Sequence, residues 1–399
     1  MNADFEQKKI LAAVKHGVNV LMTGPGGVGK SFVISKITNA TITAMTGAAA
    51  VLIGGRTLHS MLGIGLARDS SDILAKKVSK KVWNDIETLV IDEVSMLSAQ
   101  LLDKIEHVAR IVRRNDKPFG GIQIILSGDF LQLPTIEGNF CFNATCWEKL
   151  NLRYFVLTTI RRQVDVKFQT VLNAARVGSI TDSDVEYLLS GGEDAKKTMD
   201  NGIVPTRILC KNIDVDVINE QELAKLPATE TFTYEMEIEM KQEFSFKPEF
   251  FCPTPKRLTV SIGAQIMLLV NKYQDSGLVN GSRGVVVDFD KEYGTPIVKF
   301  ANGVQMNIGF HAWEIVDKKK IYGYIHAIPL KLAWAVTCHK AQGLSIDSAI
   351  IDLNGVFEFG QAYVAVSRVR SHSALILKNA ERRMFKAHPS ALKFYEELM

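Results

Sequence analysis

Short apolar runs alternate with longer amphipathic stretches through the first half of the chain. Five such runs end in small or polar residues, at 18–24, 40–47, 87–93, 122–128 and 152–158. Between the third and the fourth run, residues 98–113 carry apolar side chains at helical spacing. This alternation predicts an α/β fold in which a parallel sheet is covered by helices and ligands bind at the carboxyl ends of the strands.

The alternation of apolar runs and amphipathic stretches resumes later in the chain, but two segments depart from it. Apolar runs at 206–212, 264–271 and 348–353 predict a second α/β unit with its own parallel sheet. Residues 64–83 read as a small insert in the first unit. Residues 284–325 alternate with period two around turn signals, which predicts a small antiparallel barrel inserted in the second unit.

Length, composition and charge indicate a globular protein of more than one domain but do not identify its function. The 399 residues are too many for one small domain, and the net charge of +4 permits a nucleic-acid partner without requiring one. The five cysteines show no CxxC pairing, so we expect buried free thiols rather than zinc ligands or disulfides. The N-terminus "MNADFEQKKI" lacks an apolar signal core, and no run reaches the ~18–20 apolar residues of a membrane span. We expect a soluble intracellular protein, in a compartment that the sequence does not specify.

The segment "GPGGVGKS" has the GxxxxGK[ST] spacing between a predicted strand and a predicted helix. Glycines let backbone N–H groups surround phosphate oxygens, and the helix N-terminus adds partial positive charge. Lys30 is expected to reach the β- and γ-phosphates of a nucleotide, and Ser31 to bind Mg²⁺. The candidate nucleotide-binding residues are Gly24, Pro25, Gly26, Gly27, Val28, Gly29, Lys30 and Ser31.

Two acidic residues follow the buried strand in "LVIDEVSML". Asp92 suits the coordination shell of Mg²⁺, and Glu93 suits polarising an attacking water. Paired acids at a strand end also serve as helix N-caps, but a phosphate loop upstream favours the catalytic interpretation. Together with Lys30 they predict hydrolysis of a nucleoside triphosphate.

Another strand end carries an amide, in "IQIILSGDFLQLP" (122–134). A third strand tip beside those that carry Lys30 and Asp92 would present Gln132 to the γ-phosphate. Loss of that phosphate on hydrolysis would change what Gln132 binds, so we expect it to act as a sensor. A loop amide that only caps local backbone is the alternative.

Eight segments, in order, resemble the petite-integration-frequency family of DNA helicases, in the five-prime-to-three-prime branch of superfamily one, related to RecD-like enzymes. They are "GPGGVGKS" (24–31), "TGAAAVLIGGRTLHS" (46–60), "LVIDEVSML" (89–97), "KPFGGIQIILSGDFLQLP" (117–134), "LTTIRRQ" (157–163), "IGAQIMLLVN" (262–271), "LAWAVTCHKAQG" (332–343) and "GQAYVAVSRVRS" (360–371). The resemblance spans nearly the whole chain.

The resemblance implies two RecA-like domains with ATP between them, a small wedge in the first and an SH3-like β-barrel in the second. On this sequence the domains are placed at 1–63 and 84–158 (1A), 64–83 (1B), 159–283 and 326–399 (2A), and 284–325 (2B). It also implies an ATP-dependent helicase that moves 5′-to-3′ on single-stranded DNA and unwinds forked or duplex DNA. We expect a monomer, because one chain supplies both halves of the cleft.

The resemblance assigns further nucleotide contacts. Gln7 would read adenine, Gly343 would contact ATP, and Arg162 and Arg368 would act as arginine fingers on the transferring phosphoryl group. The family usually has an aromatic residue where Arg161 stands. Both neighbouring arginines are therefore finger candidates by type, and only the register with the following glutamine favours Arg162.

Strand contacts also come from the resemblance. The first domain would contribute Thr46, Gly47, Thr57, His59 and Ser60, and the second Thr337, His339 and Lys340. The hydroxyl, imidazole and ammonium groups of these residues can contact phosphates and base edges, and such contacts discriminate little between nucleic-acid sequences. Four lysines at 76, 77, 80 and 81 either meet the duplex at a fork or form a solvated helix face.

Three other functions remain open from the sequence. An RNA or RNA–DNA remodelling enzyme would carry the same backbone-contacting motifs. An ATP-switched nucleic-acid-binding module is disfavoured by the complete set of hydrolytic residues. A small-molecule kinase would not need the "HKAQG" and "AVSRVR" segments.

Overall fold

The computed structural model describes residues 3–65, 67–135, 139–200, 202–210, 215–227, 231–241, 248–317 and 320–398. Its α-helices are α1 (Phe5–Lys15), α2 (Lys30–Ser35), α3 (Gly47–Leu52), α4 (Leu58–Leu62), α5 (Ser71–Lys77), α6 (Lys80–Asn84), α7 (Ala99–Arg113), α8 (Val166–Val177), α9 (Asp182–Leu189), α10 (Glu193–Asp200), α11 (Val215–Ala224), α12 (Cys338–Ala341), α13 (Gln361–Val366) and α14 (Pro389–Leu398). None of these helices combines the length and the apolar character that crossing a membrane requires.

The first lobe is built on a six-stranded parallel sheet. Its strands are β1 (Val20–Thr23), β2 (Thr41–Ala44), β3 (Arg56–Thr57), β4 (Thr88–Asp92), β5 (Gln123–Gly128) and β6 (Arg153–Val156). They lie in the order β3-β2-β4-β5-β1-β6, so the ends of β4, β5 and β1 are neighbours. All five strands predicted in this region are confirmed, and the amphipathic stretch 98–113 forms α7.

Fourteen further strands lie in the rest of the described chain. They are β7 (Thr206–Leu209), β8 (Thr231–Glu235), β9 (Glu237–Met240), β10 (Arg257–Ser261), β11 (Gln265–Leu268), β12 (Arg283–Phe289), β13 (Pro296–Phe300), β14 (Gln305–Asn307), β15 (His311–Asp317), β16 (Lys320–Ala327), β17 (Leu330–Leu332), β18 (Ala335–Thr337), β19 (Ala349–Asp352) and β20 (Leu375–Lys378). A second parallel sheet, in the order β18-β7-β19-β20, is the base of the second lobe. The chain therefore has the predicted α/β class, with two parallel sheets.

One strand assignment in the second unit is wrong. Residues 264–271 were expected in the second parallel sheet, yet β11 pairs antiparallel with β12 and β17. Ile266 and Leu268 are fully buried there, in the core of the antiparallel region. A continuous apolar run has the same appearance in a buried parallel strand and in a small barrel, which is why the pattern misled.

The antiparallel region is larger than the segment predicted for it. Residues 284–325 do form antiparallel strands, but their sheets also take in β9, β11 and β17. A separate two-stranded ribbon joins β8 to β10. The antiparallel region thus begins at Thr231, well before residue 284, and residues 231–240 themselves alternate polar and apolar side chains with period two.

The predicted insert at 64–83 folds against the first lobe. Leu74, Val78 and Trp83 join the core of that lobe, and the Trp83 indole N–H donates to the Leu62 carbonyl at 3.1 Å. The lysines of α5 and α6 lie on the solvated side, where Lys77 pairs with Asp69.

The C-terminal helix α14 returns to the first lobe. Phe394 stacks on Phe142 with ring centroids 4.5 Å apart and meets Phe130 edge-on at 5.0 Å. All five cysteines are buried free thiols, as expected, and they lie at 141, 146, 210, 252 and 338.

Candidate nucleotide cleft and strand groove

The loop between β1 and α2 has the backbone that a phosphate cradle needs. Gly24, Gly27 and Gly29 have φ angles of 142°, 86° and 92°, a region that favours glycine. A Cβ on Gly24 would lie 2.1 Å from the Leu157 carbonyl oxygen, so a larger residue would displace that backbone. Pro25, Gly26 and Val28 complete the loop, and Ser31 lies in the first turn of α2.

Lys30 is held at the mouth of this loop. Its ammonium donates to the carbonyls of Gly24 and Pro25 at 2.7 and 2.9 Å. Burial lowers the pKa of Lys30, while the carboxylates of Asp129, Glu93 and Asp92 act in the opposite direction. A nucleotide phosphate would replace the carbonyl acceptors and compensate for the desolvation of the ammonium.

The two acids predicted after β4 are buried beside Lys30. Burial raises the pKa of Asp92, and it raises the pKa of Glu93 to about 7, with a further contribution from the Asp92 charge. Glu93 takes a left-handed backbone conformation at φ 56°, which turns the chain sharply after the strand. Its carboxylate accepts a hydrogen bond from Gln342 Nε2 at 2.9 Å, and Gly343 lies beside it.

The loop that follows β5 carries Gln132, the residue predicted to act as a sensor. Gln132 is buried, and its amide nitrogen lies 3.5 Å from Asp129 Oδ2. A Cβ on Gly360, which precedes α13, would lie 2.5 Å from the Gln132 carbonyl oxygen. The loop that carries Gln132 is therefore in direct contact with the second lobe.

The two arginines implied by the resemblance lie together against the phosphate loop. A Cβ on Gly26 would lie 3.5 Å from Arg162 Nη1 and equally close to Arg368 Nη2. Burial and the neighbouring Arg368 charge lower the pKa of Arg162 to about 9, and burial lowers the pKa of Arg368. Two desolvated cations side by side form a strong site for a polyanion.

Arg161 points elsewhere. It forms an ion pair with Asp4, the N-cap of α1, which also anchors Gln7 through a reciprocal capping box. Gln7 is 1% exposed, and its Nε2 lies 2.8 Å from where a Cβ on Gly29 would stand. Gln7 and Arg161 thus lie beside Gly29, whereas Arg162 and Arg368 meet beside Gly26.

These groups line one cleft of about 490 Å³ between the lobes. The first lobe contributes Gln7, Lys30, Asp92, Glu93 and Gln132, whereas the segment after β6 and the second lobe contribute Arg162, Gly343 and Arg368. Every catalytic candidate predicted from the sequence therefore meets in one place.

Two family models match the chain, and both carry the same family name. Residues 3–185 match the model described as PIF1-like helicase, and residues 245–289 match the one described as DNA helicase Pif1, 2B domain. The crystal structure of Pif1 helicase from Candida albicans is 31% identical, with a TM-score of 0.76 and complete coverage of both chains. The chain belongs to the PIF1-like helicase family.

Two other PIF1 proteins extend the comparison. The chain is 39% identical over 409 residues to the ATP-dependent DNA helicase PIF1 of Xenopus laevis, a match that covers 98% of this chain and 64% of that protein. This PIF1-like chain thus spans less than two thirds of the frog relative. A Bacteroides sp Pif1 structure in complex with ADP-AlF4 is 30% identical, with a TM-score of 0.82 and coverage of 100% of this chain and 97% of that one.

A second and larger cavity of the PIF1-like chain, about 1050 Å³, lies between α3, α11 and the strands before α12. Of the strand candidates, Thr46, Gly47 and His339 line it, whereas Thr57, His59 and Ser60 lie outside its lining. Thr57 instead caps α4, accepting the Ser60 N–H at 3.3 Å, and burial lowers the pKa of His59.

The remaining strand candidates lie where the second lobe meets this cavity. Thr337 ends β18, and His339 follows it in α12. Lys340 lies on the same helix, but its side chain is outside the described part of the structure. The candidates in the second lobe are therefore contiguous in space, whereas those in the first lobe divide between α3 and α4.

Several site residues were not predicted. Gln163 is buried and donates to the carbonyls of Ser367 and Val369 at 3.2 and 2.9 Å, which ties it to the segment that carries Arg368. Tyr363 accepts a hydrogen bond from the Gly26 N–H at 3.1 Å. Their only sequence signal was membership of the quoted segments "LTTIRRQ" and "GQAYVAVSRVRS", because both act on partners far away in the chain.

Proposed function

We propose that this chain is an ATP-dependent DNA helicase that hydrolyses Mg-ATP, moves 5′-to-3′ on single-stranded DNA and unwinds duplex DNA. The convergence of Arg162 and Arg368 on the phosphate loop carries the proposal. Arg368 comes from the second lobe, and Arg162 Nη1 donates a hydrogen bond to the carbonyl of the preceding residue, Ser367, at 3.1 Å. Stabilising the transferring phosphoryl group therefore requires the two lobes to be closed, which couples hydrolysis to lobe movement.

The donor atoms at the phosphate loop suit magnesium. Ser31 offers a hydroxyl and Asp92 a carboxylate, and oxygen ligands of this kind are those that Mg²⁺ takes alongside nucleotide phosphates. The raised pKa of buried Asp92 fits a carboxylate that a cation would stabilise. Bound Mg²⁺ would supply charge neutralisation at the phosphate oxygens.

Glu93 is the proposed proton acceptor for the attacking water. A pKa of about 7 suits a general base near neutral pH, and the Gln342 amide fixes the orientation of the carboxylate. Lys30 and the two arginines would bind the triphosphate, and Gln132 would respond to the γ-phosphate.

The groove beside α12 is the proposed path of the strand. Its lining is largely apolar, but it includes the hydroxyls of Thr46 and Thr254 and the imidazole of His339, which suit sequence-independent contact with phosphates and bases. Related Bacteroides Pif1 chains have been solved bound to single-stranded DNA, and another solved complex has two Pif1 helicases at forked double-stranded DNA. These neighbours support DNA as the substrate and a fork as the structure unwound.

The two lobes correspond, in this proposal, to RecA-like domains 1A and 2A. The helices α5 and α6 would form the wedge 1B, and the antiparallel region would form the SH3-like 2B. One chain provides both sides of the cleft, so a monomer is proposed as the hydrolytic unit.

The deciding experiment is ATP turnover measured with single-stranded DNA, with single-stranded RNA of the same sequence, and with neither. Strong stimulation by DNA and weak stimulation by RNA are expected, followed by unwinding of forks with a 5′ single-stranded tail. Equal or greater stimulation by RNA would transfer the proposal to RNA or RNA–DNA remodelling. Turnover that neither strand stimulates would overturn the translocation mechanism.

A further inference from the structure

Asp129 is a fully buried carboxylate that no sequence argument assigned to the site. Its oxygens accept hydrogen bonds from Arg176 Nε at 2.9 Å and Arg176 Nη2 at 2.8 Å, which forms a bidentate ion pair. The Tyr395 hydroxyl donates to Asp129 Oδ1 at 3.1 Å. Asp129 has no exposed surface, and the side chain of Arg176 is only 10% exposed.

The three residues come from three separate parts of the fold. Asp129 directly follows β5 in the first lobe, Arg176 is in the last turn of α8 in the second lobe, and Tyr395 is on α14. The Tyr395 hydroxyl also hydrogen-bonds Thr23 Oγ1, immediately before the phosphate loop. The network therefore joins both lobes close to the cleft, near enough for the Asp129 charge to act on Lys30 and Arg368.

Asp129 also shapes the turn that presents Gln132. Its Oδ1 accepts the Leu131 N–H at 3.2 Å, and its carbonyl accepts the Gln132 N–H at 3.0 Å. Its Oδ2 lies 3.5 Å from the Gln132 amide nitrogen. The position of one carboxylate thus fixes the backbone of the sensor turn and the side chain at its tip.

Removing Arg176 would leave a buried negative charge next to the site for a triphosphate. Lys30 is close enough for its charge to contribute to lowering the pKa of Asp129, after the larger contribution of Arg176. Without the guanidinium, the carboxylate would lose its ion-pair partner, and the turn that presents Gln132 would lose its fixed anchor.

We propose that Arg176 and Tyr395 are positioning residues for ATP hydrolysis, which hold Asp129 so that the turn presents Gln132 to the γ-phosphate. The inference rests on the proposed function, because it concerns the same cleft. It predicts that the effect of Arg176 on turnover passes through Gln132, rather than through overall stability.

The test is a double-mutant cycle on ATP turnover with saturating single-stranded DNA. Arg176→Met is compared with the unsubstituted chain, and the same change is made in a Gln132→Ala background. Arg176→Met is expected to lower kcat by roughly tenfold or more in the first background and by less than about threefold in the second. KM for ATP is expected to change far less than kcat, as is the affinity for a fluorescent non-hydrolysable ATP analogue.

Two further variants separate positioning from folding. Arg110→Met is the matched control, since Arg110 pairs with buried Glu106 at 2.7 Å on α7, away from the cleft. It leaves a buried carboxylate unpaired and is expected to lower the melting temperature without changing kcat below that temperature. Tyr395→Phe removes only a hydroxyl, keeps the ring packing, and is expected to show the same dependence on Gln132. If Arg176→Met fails to fold, Tyr395→Phe replaces it in the double-mutant cycle.

The possible results distinguish failure of the positioning role from failure of the proposed helicase function. The positioning role would be overturned if Arg176→Met lowered kcat equally in both backgrounds, or if Arg110→Met lowered kcat by as much. The proposed function would survive either result, because the unsubstituted chain would still hydrolyse ATP. Absence of DNA-stimulated turnover in the unsubstituted chain would overturn the proposed function, and this inference with it.

Discussion

The amide nitrogen of Gln342 donates a hydrogen bond to Glu93 Oε2 at 2.9 Å, across the cleft between the lobes. Gln342 directly follows α12, the helix that carries His339 at the edge of the strand groove. The carboxylate proposed to accept a proton is therefore held by the same segment that is proposed to contact DNA. This contact gives a short physical route from strand binding to hydrolysis.

Gln342→Met tests that route. The near-isosteric side chain cannot donate to Glu93, so we expect kcat with DNA to fall roughly tenfold or more, since hydrogen bonds to charged groups are worth about 1.5–3 kcal/mol. Single-strand affinity, measured by fluorescence anisotropy, should stay close to that of the unsubstituted chain. Full DNA stimulation in this variant would contradict the coupling role of Gln342.

Comparing Arg161→Ala with Arg162→Ala identifies the arginine finger. Arg162 lies against Gly26, whereas Arg161 pairs with Asp4 at the start of α1. We expect Arg162→Ala to lower kcat by ~10³–10⁵, as arginine fingers typically do, and Arg161→Ala to alter mainly KM for ATP. The reverse pattern in steady-state ATPase kinetics would assign the finger to Arg161.

Lys30→Ala tests the phosphate loop itself. Loss of the ammonium removes the charge that faces the β- and γ-phosphates, so we expect turnover to fall by at least roughly a hundredfold. DNA binding without nucleotide should be largely retained, because the strand groove lies elsewhere. Lys36→Ala, at the exposed end of α2, serves as the control and should leave turnover unchanged. Retained hydrolysis in Lys30→Ala would exclude this loop as the ATP site.

Gln132→Ala tests the sensor. The variant keeps the backbone of the turn, which is capped by Asp129, but loses the amide that faces the cleft. We expect ATP affinity to remain, kcat for ATP to fall by roughly tenfold or more, and fork unwinding per ATP hydrolysed to fall severalfold, because the loop no longer responds to the γ-phosphate. Normal unwinding efficiency in a stopped-flow fork assay would argue against the sensor.

Phe394→Ala tests whether α14 is an integral part of the first lobe. Phe394 packs among the aromatic rings of Phe130, Phe142 and Trp147. Truncating a buried phenylalanine typically costs about 3–5 kcal/mol of unfolding free energy, which a denaturant melt would detect. Phe5→Ala is the control, since Phe5 is 72% exposed and should change stability by less than about 0.5 kcal/mol. Similar stabilities for the two variants would show that α14 contributes little to the lobe.

Much of the site was predictable because its residues follow buried strands. Asp92 ends β4, Gln132 lies in the loop after β5, and Lys30 follows the loop after β1. Parallel strands bring their carboxyl ends to one edge of a sheet. The pattern of strands along the chain was therefore enough to predict that these side chains lie close together. The glycines of the phosphate loop were predictable for the same reason, since their φ angles are required by a turn within eight consecutive residues.

The same reasoning failed wherever the partner of a residue lies far away in sequence. The apolar run at 264–271 gave no sign that its neighbours are β12 and β17, since hydrophobicity records burial and not the strand beside it. Arg161 and Arg162 were indistinguishable by type, and only the folded chain pairs Arg161 with Asp4 and places the Arg162 guanidinium with that of Arg368 beside Gly26.

By itself, the sequence determined the two α/β units, the phosphate loop, the acids after β4 and the family to which the chain belongs. The tertiary structure alone decided how far the antiparallel region extends, that Arg162 lies beside Arg368 at Gly26, and that Asp129 is joined to Tyr395 across 266 residues. The physical reason is that backbone conformation and burial are encoded within a few neighbouring residues. Hydrogen bonds between lobes depend instead on the packing of the whole chain, which no local pattern contains.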